Sequence, residues 1–175
     1  LAINGFGRIG RLVLRAGWNR PGVEFVAIND LPVGAATLAQ LFKYDSNFGI
    51  FDGEVKPDGE DLLISGKRLK IVSHRSPEEI PWKALGAQIV VESTGLFTSR
   101  EKAQGHLTAG AKKVIISAPA KQEERGPVAV FIGTLIVMTE LPPQARRQVR
   151  ADLGEQPRAL ARPEQHRRRR GTRRP

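Results

Sequence analysis

The chain of 175 residues contains no cysteine. That excludes disulfides, thiolate metal sites and a cysteine nucleophile within it. No apolar run approaches the ~20 residues that a membrane-spanning helix needs. The longest, Pro127 to Met138, is shorter and is broken by Gly133 and Thr134. Leu1 runs straight into a glycine motif with no charged n-region before it, so neither a signal peptide nor a membrane partner is expected, and a cytoplasmic location is compatible. Lysine is absent after Lys121, whereas twelve arginines follow it, and the only aromatic beyond that point is Phe131.

The net charge of +10 is therefore uneven: +3 over residues 1–120 and +7 over residues 121–175. Ala, Pro, Gln, Gly and Arg dominate from Pro142, and Arg167 to Arg170 are consecutive. Such a segment cannot bury enough apolar surface to offset chain entropy, so residues 140–175 are expected to be a disordered tail. A basic run attracts nucleic-acid phosphates nonspecifically. This one lacks the interleaved aromatics of a base-stacking surface, and a solvated tail is the simpler reading. The lysine-free composition also suits a GC-rich gene read in a shifted frame.

What is present is concentrated at the front. Gly5, Gly7 and Gly10 form G-x-G-x-x-G between an apolar start, Leu1 to Phe6, and the stripe Ile9, Leu12, Val13 and Ala16, which has helical spacing over Arg8 to Asn19. A second apolar run, Val23 to Ile28, ends in Asn29-Asp30, with the acid about 20 residues beyond the last glycine. Gly5 lets the chain turn off the strand, Gly7 lets the backbone approach a pyrophosphate, and Gly10 lets the helix pack on the strand. The free N–H groups near Arg8 and Ile9 and the helix dipole favour an anion. Asp30 would accept hydrogen bonds from the adenine ribose hydroxyls. Its charge would repel a 2′-phosphate, and Leu31 offers a phosphate no donor, so NAD is favoured over NADP. Turn glycines and loop acids also arise for purely structural reasons; strand, motif, helix and second strand in sequence make the dinucleotide reading the stronger one.

Further on, Ala35, Leu38, Ala39 and Phe42 form another helical stripe. Leu62/Ile64 and Leu69/Ile71 alternate around Ser65-Gly66-Lys67, a hairpin pattern. Ala87 to Val91 and Lys113 to Ser117 read as buried strands, with Thr98 and Glu101 as a capping box for a helix to about Ala109. The expected fold is α/β: a Rossmann-type, mostly parallel sheet with helices on both faces and a hairpin insertion at about 54–72. The expected organisation is a nucleotide-binding domain over 1–121, one possible extra strand within 122–139, and the tail over 140–175.

At Ile3-Asn4-Gly5-Phe6-Gly7-Arg8-Ile9-Gly10-Arg11 the sequence resembles glyceraldehyde-3-phosphate dehydrogenases. The resemblance continues through Ile28-Asn29-Asp30-Leu31, Lys43-Tyr44-Asp45-Ser46, Phe51-Asp52-Gly53-Glu54, Val91-Glu92-Ser93-Thr94-Gly95-Leu96-Phe97 and Ile116-Ser117-Ala118-Pro119-Ala120-Lys121. It covers about residues 2–121, and it implies NAD as cofactor. It further implies pyrophosphate contacts from the Arg8 and Ile9 amides, ribose contacts from Asp30, and Arg75 near the adenine. By the same resemblance Thr94, Gly95 and Phe97 line the cleft, and Ser117 lies near the nicotinamide.

The chain departs from the family after Lys121. The family's Ser-Cys-Thr-Thr-Asn motif, whose cysteine attacks the aldehyde, does not follow, and the family's catalytic histidine has no counterpart among His74, His106 and His166. Ser93 and Thr94 are hydroxyls without a neighbouring base in sequence, so a cleft contact is favoured over a nucleophile. No catalytic residue and no metal ligand is therefore expected. A homo-oligomer is not expected either, because by the resemblance subunit contacts come largely from the missing part. Three functions stay open: a nucleotide-binding domain of this dehydrogenase type, a basic-tailed nucleic-acid binder, and a non-catalytic cofactor-binding regulator.

Overall fold

A computed structural model describes residues 1–118 and the backbone of Val128–Val130. Its elements in chain order are β1 (Ala2–Asn4), α1 (Arg8–Gly17), β2 (Ala27–Asn29), α2 (Ala35–Lys43), β3 (Tyr44–Asp45), β4 (Gly49–Ile50), β5 (Val55–Asp58), β6 (Asp61–Ile64) and β7 (Lys67–Val72). A 3₁₀ turn at Pro77–Glu79 then leads to β8 (Ile89–Glu92), α3 (Arg100–Thr108), β9 (Lys113–Ile116) and β10 (Val128–Val130). The main sheet has eight strands in the order β10-β9-β8-β1-β2-β7-β6-β5, and β3 pairs with β4 separately.

Strands β7, β2, β1, β8, β9 and β10 run parallel. Side chains alternate across such a sheet. Ile3, Ile28 and Ile71 share one face and meet Leu14 of α1 and Leu38, Ala39 and Phe42 of α2 in one cluster. Ala2, Ala27 and Val90 take the other face with Ile80 and Trp82, and Val114 and Ile116 continue it under Ala103 of α3. Helices thus cover both faces, as the strand–helix alternation predicts.

The local chemistry accounts for one extension of the sequence expectations and two departures from them. The hairpin expected at 54–72 forms, and its last strand goes further than expected by joining the main sheet. Strands β5 and β6 pair antiparallel, but β7 joins β2 in parallel register, Ile28 opposite Ile71, so it is an integral strand of the sheet. The hairpin turn at Ser65–Gly66 does form, with both residues at positive φ (47° and 79°), the geometry of a two-residue type I′ turn. Helix α1 buries Gly10, Leu12 and Leu14, while Ile9, Val13 and Ala16 are only half-buried. Contact at Gly10 sets the helix rotation, so Leu14 and Trp18, four and eight residues on, enter the core instead. The N-cap of α3 is Ser99, whose hydroxyl accepts from Lys102 N at 3.4 Å, one residue later than the expected Thr98 cap.

Arg15 ties the two helices on the first face together. Its Nη2 donates to the carbonyls of Phe42 (2.6 Å) and Lys43 (3.0 Å), the last residues of α2. Those are orphan carbonyls of a helix end, and a cation there also suits the helix dipole. The guanidinium lies 5.6 Å and 5.8 Å from the ring centres of Phe42 and Phe51. The sequence expectations for a disordered tail and for the remainder of the 122–139 segment fall outside the described residues.

Candidate functional site

The sheet order reverses at β1: the chain leaves it toward β2 on one side and later returns to β8 on the other. Ligands of open α/β sheets bind outside the carboxyl ends of the strands at such a point. Here the strand ends are flush, because backbone bonds continue one residue past each strand. Gly5 N donates to Asn29 O (2.8 Å), Asp30 N to Val72 O (3.1 Å), Ser93 N to Asn4 O (2.7 Å) and Ser117 N to Glu92 O (2.9 Å). Gly5, Asp30, Ser93 and Ser117 therefore stand side by side on one edge.

The glycine corner is tight on two sides and open on the third. Gly5 has φ +92°, and a Cβ there would lie 2.6 Å from Thr94 N and 2.8 Å from Ser93 C, which are backbone atoms that cannot step aside. A Cβ on Gly10 would fall inside the Gly5 carbonyl oxygen. A Cβ on Gly7 would meet nothing within 4 Å. Gly7 is the N-cap of α1, contributes no side-chain cap, and the first turn carries no acid. The first bond back into the turn is Arg11 N to Gly7 O at 3.1 Å, so the N–H groups of Arg8, Ile9 and Gly10 precede the helix ladder. This is an uncapped anion cradle with room beside it for a phosphate.

Asp30 is half-buried, and its carboxylate makes no hydrogen bond or ion pair among the described residues. An unpartnered acid at the end of β2 suits ribose hydroxyls. Arg75 is exposed and follows His74, whose backbone is held by Asn29. Thr94 and Phe97 are half-buried, and Gly95 is exposed with φ +77°. Ser117 is half-buried beyond β9, one strand farther from Asp30 than the loop after β8. Near the helix start, burial works to raise the Asp45 carboxyl pKa. The N–H groups of Asn47 and Phe48, with the charges of Arg15 and Arg8, outweigh it and hold that pKa below its ordinary value.

Five buried groups beneath this edge are given no role by the sequence patterns: Asn4, Asn29, Glu92, His106 and the indole N–H of Trp82. Asn4 Nδ2 donates to Glu92 Oε2 at 2.5 Å, and Asn29 Nδ2 donates to Asn4 Oδ1 at 2.7 Å. His106 Nε2 lies 3.0 Å from Glu92 Oε2, and Trp82 Nε1 donates to His106 Nδ1 at 2.9 Å. Ser93 also has a role: its hydroxyl donates to the Gly5 carbonyl at 2.7 Å and clamps the corner to β8. A signal existed. Asn4, Asn29 and Glu92 each close an apolar strand at the same distance from its end, the pattern of polar groups collected on one sheet edge.

Two open cavities flank this architecture. One of about 580 Å³ lies between Leu31, Leu38, Ile71 and His74 and, although it starts one residue beyond Asp30, is lined by none of the candidate residues. The other, about 620 Å³, is lined by Trp18, Phe25, Lys67 and Arg68 and likewise contains none of the candidate residues. Among the described residues, no group of three or more His, Asp or Glu could hold a metal, and no helix is long and apolar enough to cross a membrane.

Residues 1–100 match the family model described as glyceraldehyde 3-phosphate dehydrogenase, NAD binding domain. Glyceraldehyde-3-phosphate dehydrogenase of Claviceps purpurea is 53% identical over 120 residues, which is 69% of this chain and 36% of that protein. The Geobacillus stearothermophilus enzyme is 56% identical over 124 residues, 71% of this chain and 37% of its own length. That of Pseudomonas aeruginosa is 58% identical over 127 residues, 71% and 38% respectively. The chain thus spans little more than a third of the relatives it matches. It belongs to the glyceraldehyde 3-phosphate dehydrogenase family through its NAD binding domain, and NAD is its cofactor.

Proposed function

We propose that this chain binds NAD mainly through the adenosine and pyrophosphate half, and that it performs no aldehyde oxidation by itself. The observation that carries the reading is the uncapped first turn of α1 beside the open flank of Gly7. The backbone amides of Arg8, Ile9 and Gly10 would hold the pyrophosphate, and the unpaired Asp30 carboxylate the adenine ribose. Gly5 and Gly10 keep the corner compact enough for those amides to reach. Arg75 would flank the adenine, Thr94, Gly95 and Phe97 the opposite wall, and Ser117 the nicotinamide end. By family the chain would serve glycolysis in the cytoplasm.

When bound, the cofactor supplies a hydride acceptor; the residues described here supply a seat for it but no attacking group. The chain has no cysteine. The Ser93 hydroxyl donates to the Gly5 carbonyl, and the Thr94 hydroxyl donates to Glu92, so both protons are committed to structural bonds. A serine or threonine without an adjacent base is a weak nucleophile at neutral pH.

Thermal melting of the full chain with NAD and with NADP tests the binding. Ligand at 100 times its Kd adds about 2.7 kcal/mol to stability. An NAD-selective rise in Tm is the expected result; equal shifts with both nucleotides, or none, refute the site. Turnover of glyceraldehyde 3-phosphate with NAD and phosphate by this chain alone would refute the absence of catalysis.

A further inference from the structure

We propose that Glu92 is a positioning residue for the adenine half of the site, holding the loop after β8 in register with the loop after β7 through one unbroken chain of buried hydrogen bonds. This rests on the NAD-binding reading above. The chain runs along one face of the sheet, from Trp82 through His106, Glu92, Asn4 and Asn29 to the backbone of His74. Its side chains are buried, with Glu92 1% and His106 0% exposed.

A buried carboxylate is costly unless every lone pair is matched by a donor. Glu92 meets four donors. Oε2 accepts from Asn4 Nδ2 and faces His106 Nε2, while Oε1 accepts from the Thr94 N–H at 2.8 Å and from the Thr94 hydroxyl. The histidine is fixed in one tautomer. An indole N–H can only donate, so His106 Nδ1 is the acceptor and its proton sits on Nε2, aimed at Glu92. Packing alone would be served by an apolar residue at this position. What the carboxylate adds is a two-point grip on Thr94. The Thr94 hydroxyl oxygen in turn accepts from Leu96 N at 3.0 Å, which spans Gly95.

The other end of the chain has the same form. Asn29 accepts from His74 N at 2.8 Å and donates to His74 O at 3.0 Å, another two-point grip, one residue before Arg75. Asn4 links the two grips, because it is the register partner of both Asn29 and Glu92. Phe97 completes the coupling, its ring edge-on to His106 at 6.3 Å between centres. The candidate walls on either side of the adenine, Arg75 and the Thr94–Phe97 loop, are thus fastened to one another below the groove.

The test measures AMP and NAD affinity of the full chain by calorimetry, with Tm of each nucleotide-free variant. In Glu92→Gln an amide must turn NH₂ toward Thr94 or toward Asn4 and His106, all donors. AMP and NAD should both bind about tenfold more weakly, the equivalent of one lost charge-assisted hydrogen bond. The double variant Asn4→Asp with Glu92→Gln moves the charge one strand over. The new amide could then accept from Thr94 and donate to the new carboxylate. That carboxylate would still receive Asn29, and the atom it replaces lies 3.4 Å from His106 Nε2. Because the new amide NH₂ still lies against the His106 Nε2–H, recovery should be partial, at least about threefold over Glu92→Gln, a rescue that a volume effect would not produce. Thr94→Val, which removes the hydroxyl grip on Glu92 together with the acceptor for the Leu96 N–H, should weaken AMP several-fold and serves if Glu92→Gln does not fold. Wild-type AMP affinity in Glu92→Gln or in Thr94→Val, or a folded double variant no better than Glu92→Gln, overturns the proposal. A wild-type chain that binds neither AMP nor NAD overturns the functional reading itself.

Discussion

Alanine at Gly5 and alanine at Gly7 are the same chemical change two residues apart, and the structure assigns them opposite consequences. At Gly5 the new Cβ would lie 2.6 Å from Thr94 N and 2.8 Å from Thr94 Cα, at φ +92°. Overpacking a rigid contact costs about 1–3 kcal/mol and a strained φ about 1–3 kcal/mol more. Gly5→Ala should therefore lose roughly 2–6 kcal/mol of stability, read as a lowered urea midpoint at unchanged m. At Gly7 φ is −67° and ψ −163°, an extended conformation open to any residue, and nothing lies within 4 Å. Gly7→Ala should leave stability within about 1 kcal/mol of wild type, the loss of unfolded-chain entropy being offset by alanine's poorer fit to the N-cap position. The main penalty should appear with ligand, because the methyl group occupies the approach to the pyrophosphate. A Kd for NAD at least about tenfold weaker, or about 1.4 kcal/mol, is expected. If Gly7→Ala were as unstable as Gly5→Ala, or bound NAD like wild type, the assignment of the open flank to the cofactor would fail.

Three further perturbations probe other parts of the molecule. Asp30→Ser removes the charge proposed to face the ribose 2′ position; the NAD-to-NADP affinity ratio should fall at least about tenfold in calorimetry while Tm stays within a degree or two, and an unchanged ratio would remove Asp30 from the site. Burial works to raise the pKa of Asp61, but the Lys70 ammonium, the Ile71 N–H and Arg68 outweigh it and hold the carboxyl below its ordinary value. A depressed acid stabilises the fold above its unfolded pKa, near 4, and that contribution disappears as pH falls through the lower folded value. Asp61→Asn should thus lose about 1 kcal/mol at pH 7, given the half-exposed lysine, and should show a flatter stability profile below about pH 4 than wild type. Arg15→Lys cannot span the Phe42 and Lys43 carbonyls while stacking on two rings; a loss of about 1–3 kcal/mol by urea denaturation is expected, and a neutral result would show that the Arg15 bonds to these carbonyls, of which Lys43 O also accepts from Phe51 N, add nothing to stability.

The parts of this molecule that sequence discloses are those whose cause is local. The glycine corner is legible because its three glycines recur at a fixed spacing within six residues and Gly10 must clear the Gly5 carbonyl, although the backbone that Gly5 itself must clear belongs to the distant Thr94; Ser65–Gly66 is legible because a two-residue turn demands positive φ. The run Lys67–Val72 alternates like an ordinary hairpin strand, and nothing in that alternation says that its second edge meets Ala27–Asn29 in parallel. The rotation of α1 is hidden for a related reason. Ile9, Leu12, Val13 and Ala16 form a sound apolar stripe, but the contact of Gly10 with Gly5 decides which stripe faces the sheet.

The buried polar chain is the extreme case of non-local cause. Asn4 and Glu92 are 88 residues apart, and Trp82 and His106 are 24 apart. Taken singly, a strand-ending Asn or Glu reads as the polar stop of an apolar run, and a lone His on a helix as surface. Only the parallel register, which sets Asn29, Asn4 and Glu92 in one row, turns three stops into a network. That row lies beneath the edge where the glycines and Asp30 stand, so the same register that aligns the strand ends also brings together the groups that fasten them. Sequence thus marks the groups proposed to touch the cofactor, while the groups that hold those in place emerge only once the sheet is assembled.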